Sequence, residues 1–142
     1  MPPEDAGSRR DDARSEAREQ AVMLLYEAEQ RSVPVTSLLA ERSVVSGEIT
    51  SLIVGGVEVS SASIDATISS HSRGWSIERM PALDRAILRV GVFELSERPD
   101  VPVAVVIDEA VRLAKRFSTD DSGRFVNGVL AAVARAVRPA GE

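Results

Sequence analysis

Two carboxylates, Asp120 and Asp121, are followed closely by the pair Arg124-Phe125. This stretch comes after an apolar-periodic segment that ends at Phe117, and Ser118-Thr119 supplies a helix start signal. We therefore expect a turn between two helices, with Arg124 and Phe125 just inside the second helix and the carboxylates at its start. A guanidinium and an aromatic ring placed together suit recognition of a ligand better than packing alone.

The side chains that could perform catalysis are few. The chain has no cysteine and one histidine, His71, so Cys–His pairs and His-rich metal sites are excluded. We expect His71 at a helix end, where imidazole can interact with unpaired carbonyl groups. The pairs Asp108-Glu109 and Asp120-Asp121 lie near helix starts, where carboxylates complement the helix dipole. The sequence predicts a protein that is not an enzyme and needs no metal or cofactor.

Composition limits the class of protein further. A chain of 142 residues with 44% hydrophobic content is expected to bury one core and form a single domain. Its formal net charge of −5 argues against a protein that coats nucleic acid through overall positive charge, so any contact with nucleic acid must be local. The lack of cysteine, of a membrane-length apolar run and of an apolar signal core predicts a cytoplasmic protein without a membrane partner.

Hydrophobic periodicity predicts helices along nearly the whole chain and no convincing strand. The predicted helices run from Asp12 to Arg31, from Pro34 over a short stretch, from Ser46 to about His71, from Pro81 to about Glu97, from Pro102 to Phe117, and from the 118–121 start signal to about residue 138. The fourth of these is apolar around most of its circumference and should be central. Residues 12–138 are predicted to form the domain, with a flexible polar tail over 1–11 and a short C-terminal tail over 139–142.

Several runs of the sequence, in the same order, resemble the NusB family of bacterial transcription antitermination factors. They are Ala17-Arg18-Glu19 with Ala21-Val22 and Leu25-Tyr26, the run from Pro81 to Leu95, Asp100-Val101-Pro102, Asp108-Glu109-Ala110, Leu113-Ala114-Lys115, and Phe125-Val126-Asn127-Gly128-Val129-Leu130. Together these runs span most of the chain, from Ala17 to Leu130, and the last block with its acidic lead-in is highly specific.

The resemblance implies an all-α fold of two roughly perpendicular three-helix bundles and a non-catalytic function. The family binds the boxA element of nascent RNA together with NusE, a protein of the small ribosomal subunit. That pair helps to assemble the complex that keeps RNA polymerase from terminating, notably on ribosomal RNA operons.

The resemblance also carries the family's RNA-contacting positions onto five residues: Arg14, Arg18, Tyr26, Arg124 and Phe125. Cationic side chains that bind phosphates and aromatic rings that stack on bases are the usual means of reading single-stranded RNA. The alternatives are that Tyr26 and Phe125 are core residues and that Arg14 and Arg18 form a solvated helix face.

The first helix departs from the family, whose members usually carry a strongly basic one. Residues 11–20 contain two arginines against four acids. Because each lost phosphate contact lowers affinity, we expect weak binding to boxA RNA alone and stronger binding when NusE is present.

The partner surface is predicted on the helices that begin at Pro81 and Pro102. Charges expected to be exposed there, and available to NusE, are Asp84, Arg85, Glu94 and Glu109. An alternative is a homodimeric helical scaffold with weak or no RNA binding of its own, which the acidic balance favours. A second alternative, the NusB-like domain of ribosomal RNA methyltransferases, requires a separate catalytic domain that this sequence is not expected to contain.

Overall fold

A computed structural model describes the backbone of residues 4–42 and 47–138 and the side chains of residues 12–42 and 47–138. Within these ranges the chain forms seven α-helices, one 3-10 turn at Ile77–Arg79 and no strand, which confirms the all-α prediction. The helices are α1 (Glu4–Arg31), α2 (Val35–Glu41), α3 (Glu48–Val59), α4 (Ser61–Ser70), α5 (Ala82–Glu97), α6 (Val103–Phe117) and α7 (Asp120–Val137). The predicted C-terminal tail and the start signal at Ser46 lie outside the described residues.

The helices pack in two groups around α5. Helices α1, α2 and α3 contact one another, and α5, α6 and α7 form the second group. Helices α1, α3 and α4 also pack against α5, whose side chains are buried around most of the helix. The prediction of a central helix after Pro81 is therefore confirmed.

The predicted single helix from Ser46 to His71 is wrong, because the chain breaks at Ser60. Helices α3 and α4 on either side of this residue are bent by 77° relative to each other. The bend lets both helices pack against α5. No proline or glycine marks it, and the only local signal is the pair Ser60-Ser61, whose side chains compete with helical hydrogen bonds.

The first helix also differs from the prediction. Helix α1 begins at Glu4 and not at Asp12, so the backbone of residues 4–11 is helical where a flexible tail is predicted. The apolar stripe begins only at Ala17, so periodicity detects the packed part of α1 alone. Adding turns to an existing helix is far less costly than nucleating one, which accounts for the extension.

The remaining helix starts agree with the prolines and the capping signal in the sequence. Pro34, Pro81 and Pro102 immediately precede α2, α5 and α6. At α7 the Thr119 hydroxyl accepts a 3.0 Å hydrogen bond from the backbone N–H of Ser122, the expected N-cap interaction.

Arg138 closes the other end of the fold. Its guanidinium donates hydrogen bonds to four backbone carbonyl groups at and beyond the end of α5, those of Glu94, Leu95, Arg98 and Val101. The last carbonyl groups of a helix lack helical partners and attract cations. Arg138 thus joins the end of α7 to the end of α5, a role that its sequence position did not indicate.

Glu27 forms an ion-pair cluster between α1 and α2. Arg42 donates two hydrogen bonds of 2.7 Å to its carboxylate, and Arg31 donates a third of 3.1 Å. These bonds, with that from Arg42 foremost, lower the pKa of Glu27 from 4.5 to about 2.

This lowered pKa predicts a pH-dependent contribution to stability. A depressed carboxyl pKa stabilises the folded state above the unfolded value, so the contribution of Glu27 should be complete above about pH 4.5 and lost as pH falls towards 2. Thermal unfolding of wild type and Glu27→Gln between pH 2 and 6 should show curves that converge at low pH. Glu58→Gln, at an exposed position on α3, is the control. Wild-type and Glu27→Gln curves that stay parallel would contradict the prediction.

Among the described residues, no single helix has both the length and the apolar character needed to cross a membrane, and α3 with α4 reaches that threshold only as a bent pair.

Candidate nucleic-acid interface

The predicted RNA-binding arginines lie in two separate cavities. The α1–α6 cavity has a volume of about 570 Å³, and its lining includes Arg14, Arg18, Pro102, Val105, Glu109 and Arg112. The α7 cavity has a volume of about 500 Å³ and lies between α7 and the connector, which we define as residues 71–81; its lining includes His71, Arg73, Trp75, Arg124, Phe125 and Arg135. Among the residues that the structure describes, none lines both cavities.

Arg18 is buried in the α1–α6 region and is only 5% exposed. Its Nε donates a 2.8 Å hydrogen bond to Glu94 Oε1, and its Nη1 lies 3.7 Å from Glu109 Oε1. A guanidinium held by two carboxylates is not open to a phosphate. This geometry favours a positioning role, in which Arg18 ties α1 to α5 and α6, and its predicted direct RNA contact stays a prediction.

Glu109 connects this buried pair to the surface. Its carboxylate accepts hydrogen bonds from the Ser15 hydroxyl and from Arg112 Nε, the latter at 2.9 Å. Burial acts to raise the pKa of Glu109, but the hydrogen bonds from Ser15 and Arg112 and the charges of Arg112 and Arg18 outweigh it, so the pKa is lowered. Glu109 remains charged and holds Arg112 at the cavity edge.

Two of the four charges predicted to be exposed are buried. Glu94 is 3% exposed beneath Arg18, and Asp84 is 2% exposed near the start of α5. Arg85 is half-buried: its Nε lies within hydrogen-bonding distance of both carboxylate oxygens of Glu29, at 3.1 and 3.2 Å, and its Nη1 donates to the Ile77 carbonyl oxygen. The prediction of exposure is wrong for Asp84 and Glu94, because packing between helices distant in the sequence covers them.

Tyr26 lies apart from both cavities. Its half-buried ring packs against the hydrophobic core formed by α1 and its neighbours. This placement favours the core alternative for Tyr26, and its predicted RNA contact stays a prediction.

Arg124 and Phe125 occupy the corner that the sequence predicts. The Arg124 side chain is 74% exposed and forms an ion pair with Asp121 one turn earlier in α7. Phe125 is half-buried, and its ring centroid lies 6.2 Å from that of Trp75, with the ring planes inclined by 58°. Such tilted pairs are favourable arrangements of aromatic rings.

Trp75 was not among the predicted site residues. It is 54% exposed and follows a left-handed turn in which Arg73 has φ = 47° and Gly74 has φ = 86°. A signal was present in the sequence, since Trp75 is the only tryptophan of the chain and follows a glycine that permits this backbone conformation.

The α7 cavity concentrates positive charge in an acidic chain. Arg73, Arg124 and Arg135 line it, and the described residues contribute no carboxylate to its lining.

His71 also lines the α7 cavity, and its Nδ1 is 2.8 Å from the Thr67 carbonyl oxygen. This confirms the predicted location of His71 at the end of a helix.

A family model decides the classification. The model of the NusB family matches residues 15–135. The chain belongs to the NusB family. The resemblance seen in the sequence is therefore confirmed over most of the chain, and NusB proteins are transcription antitermination proteins.

Three similar proteins agree with this membership. The transcription antitermination protein NusB of Beutenbergia cavernae is 48% identical over 137 residues, with coverage of 87% of this chain and 90% of the relative. The structure of T. maritima NusB matches with a TM-score of 0.80 and 31% identity over 89% of this chain and 93% of that one. A structure of antitermination factors NusB and NusE in complex with double-stranded RNA matches with a TM-score of 0.75 and 28% identity over 87% of this chain and 96% of that one.

Proposed function

We propose that this NusB protein binds boxA RNA together with NusE and helps to assemble the antitermination complex on RNA polymerase, notably on ribosomal RNA operons. The observation that carries the proposal is the exposed, cationic and aromatic corner formed by Arg124 and Phe125. The similarity to NusB in its complex with NusE and RNA supports the two partners.

The corner has the chemistry that single-stranded RNA requires. A base can stack on the half-buried ring of Phe125 while the exposed guanidinium of Arg124 binds a phosphate. Arg14 offers a second cationic contact in the α1–α6 cavity. The two cavities share no lining residue, so an RNA that contacts both sites must cross the surface between them.

NusE is proposed to share the binding because residues 12–20 of α1 offer little free positive charge. Of the two arginines between residues 12 and 20, Arg18 is held in buried ion pairs and Arg14 alone is accessible. Of the four predicted partner residues, Glu109 is best placed to meet NusE, since it lines the α1–α6 cavity beside exposed Pro102 and Val105.

Filter binding over a salt series tests this division of the contacts. The isolated protein should bind boxA RNA weakly, with a shallow dependence on salt, because few phosphates are neutralised. Addition of NusE should raise the affinity and steepen the salt dependence. Nanomolar binding by the isolated protein at physiological salt, or no gain from NusE, would contradict the proposal.

Two substitutions test, in the same assay with NusE present, whether RNA contacts the corner formed by Arg124 and Phe125. Phe125→Ala should weaken binding by about 5- to 100-fold through loss of stacking, and Arg124→Ala should reduce the slope of log K against log salt by about 0.7 through loss of one phosphate contact. Arg79→Ala, at an exposed position of the connector outside both cavities, is the matched control. Variants that bind like this control would show that RNA binds elsewhere.

A further inference from the structure

The Trp75–Phe125 pair lines both the α7 cavity and a second, smaller cavity. This second space, the Asp84 cavity, has a volume of about 260 Å³ and is lined by both rings together with Pro81, Asp84, Thr119, Asp121 and Ser122. Neither Trp75 nor Asp84 has a part in the RNA contact proposed above. Two cavities that share an aromatic wall form one continuous surface for a ligand with two chemically different ends.

Asp84 gives the smaller cavity an unused hydrogen-bond acceptor. The carboxyl group is 2% exposed, and its Oδ1 has no hydrogen-bond partner among the residues that the structure describes. Burial raises the pKa of Asp84, an effect that the hydroxyl groups of Ser122 and Ser118 partly offset. Because a buried acceptor without a partner destabilises a folded protein, this oxygen marks a place where a donor from outside would be favourable.

The larger cavity has the opposite character. Arg73, Arg124 and Arg135 surround it, and the small residues Gly128, Ala131 and Ala132 of α7 form its floor. Arginine is well suited to phosphate because its planar guanidinium can donate two parallel hydrogen bonds. An anionic group is therefore favoured here, directly beside the aromatic pair.

We propose that these two cavities form a subsite for one unstacked nucleotide of RNA, in which Trp75 and Phe125 stack the base, the three arginines bind the adjoining phosphates, and Asp84 accepts a hydrogen bond from an exocyclic amino group of the base. The proposal rests on the RNA-binding function argued above and adds a specificity element to it. Cytosine, adenine and guanine carry such an amino group, whereas uracil presents a carbonyl oxygen at the same position as the cytosine amine.

A nucleotide fits this surface better than a cationic side chain of a protein partner. An incoming arginine would satisfy Asp84, stack on Trp75 and be attracted by Asp121, but it would also meet three like charges at Arg73, Arg124 and Arg135 beside the aromatic pair. A nucleotide places its anionic end among those arginines and its neutral, hydrogen-bonding end at Asp84. Trp75 is more than half exposed, so its ring has the freedom to adjust to an incoming base.

Fluorescence anisotropy with two RNA octamers at pH 8 tests the subsite in the full-length protein. Octacytidylate and octauridylate have similar rings and the same backbone. Only octacytidylate carries the exocyclic amine from which Asp84 would accept a hydrogen bond. The wild type should prefer octacytidylate by about tenfold, since a hydrogen bond to a charged group contributes this much. Asp84→Asn should reduce the preference below about twofold, because the amide can also donate to uracil.

Two further variants test the stacking and the phosphate contact without touching a buried group. Trp75→Ala should weaken binding of both octamers by at least about fivefold. Arg135→Ala should lower the slope of log K against log salt by about 0.7. Arg79→Ala is again the control, and thermal unfolding confirms that each variant is folded. These two variants keep the test decisive if Asp84→Asn does not fold.

The outcomes separate this subsite from the proposed function. Three results would each overturn the subsite, even if boxA RNA binds with NusE as proposed. The wild type could bind the two octamers equally, or Asp84→Asn could retain the preference for octacytidylate. The third such result is that Trp75→Ala and Arg135→Ala bind RNA like the control. Binding of octacytidylate through Trp75 without any boxA binding would support the subsite and overturn the proposed function. Failure to bind either octamer at all would also overturn the subsite.

Discussion

The Arg18→Ala variant is expected to unfold with a free energy about 3–5 kcal/mol lower than that of the wild type, the usual cost of removing one partner of a buried ion pair. The substitution leaves Glu94, which is 3% exposed, with a buried charge and no counter-ion. It also removes a guanidinium nitrogen that lies 3.7 Å from Glu109 Oε1, and leaves Arg112 as the partner of that carboxylate. Urea denaturation at pH 7 measures the change directly.

Two further variants separate the ion pair from other effects of the substitution. Arg14→Ala, one turn earlier on the same helix, should change the stability by no more than about 0.5 kcal/mol. The double variant Arg18→Leu, Glu94→Leu should recover most of the loss, because apolar residues often replace a buried pair without cost. An Arg18→Ala loss no larger than that of Arg14→Ala would contradict the structural role of Arg18.

The double variant also distinguishes the two roles of Arg18 in RNA binding. If Arg18 only positions α1, boxA binding in the presence of NusE should return together with stability. Binding that stays lost in a stable double variant would restore the direct contact that the sequence predicts.

Gly56→Ala is expected to destabilise the protein by about 1–3 kcal/mol, although alanine favours helices more than glycine does. A Cβ at this position would overlap the ring of Phe93, which lies on α5 directly against the backbone of α3. The ring is 5% exposed in the core and has little space into which to move. Overpacking of this kind forces side chains away from their preferred conformations.

The neighbouring glycine is a matched control on the same helix. A Cβ at Gly55 would meet no atom within 4 Å, so Gly55→Ala should stabilise the protein by about 0.5–1 kcal/mol through helix propensity. Thermal and urea unfolding of the two variants should therefore show changes of opposite sign. Changes of the same sign and size would mean that α3 and α5 are not in close contact at Gly56.

Most of the fold was predictable because its signals are local. Pro34, Pro81 and Pro102 immediately precede α2, α5 and α6, where the fixed backbone angle of proline suits a helix start. Thr119 caps α7 through a hydrogen bond within the first turn. The bend at Ser60 was not predictable, because serine permits a helix and only the packing of α3 and α4 on α5 requires a break there.

The candidate site was predictable only in part. Arg124 and Phe125 were predicted because they lie in one turn with their capping residues, and resemblance supported them. Trp75 was missed because the connector that carries it is 50 residues away from Phe125 in the sequence, and no periodic pattern links the two rings. Their contact at 6.2 Å exists only in the folded chain.

The sequence by itself determined the family, the helical class and most helix boundaries, since these depend on residue types and on interactions over one or two turns. The tertiary structure alone decided which charges are available to a partner. Arg18 and Glu94 are 76 residues apart, and Asp84 is covered by residues near the start of α7. The sequence around a charged residue looks the same whether its side chain is exposed to water or paired with a counter-ion from a distant helix. Its exposure therefore depends on how the helices pack and not on its neighbours in the sequence.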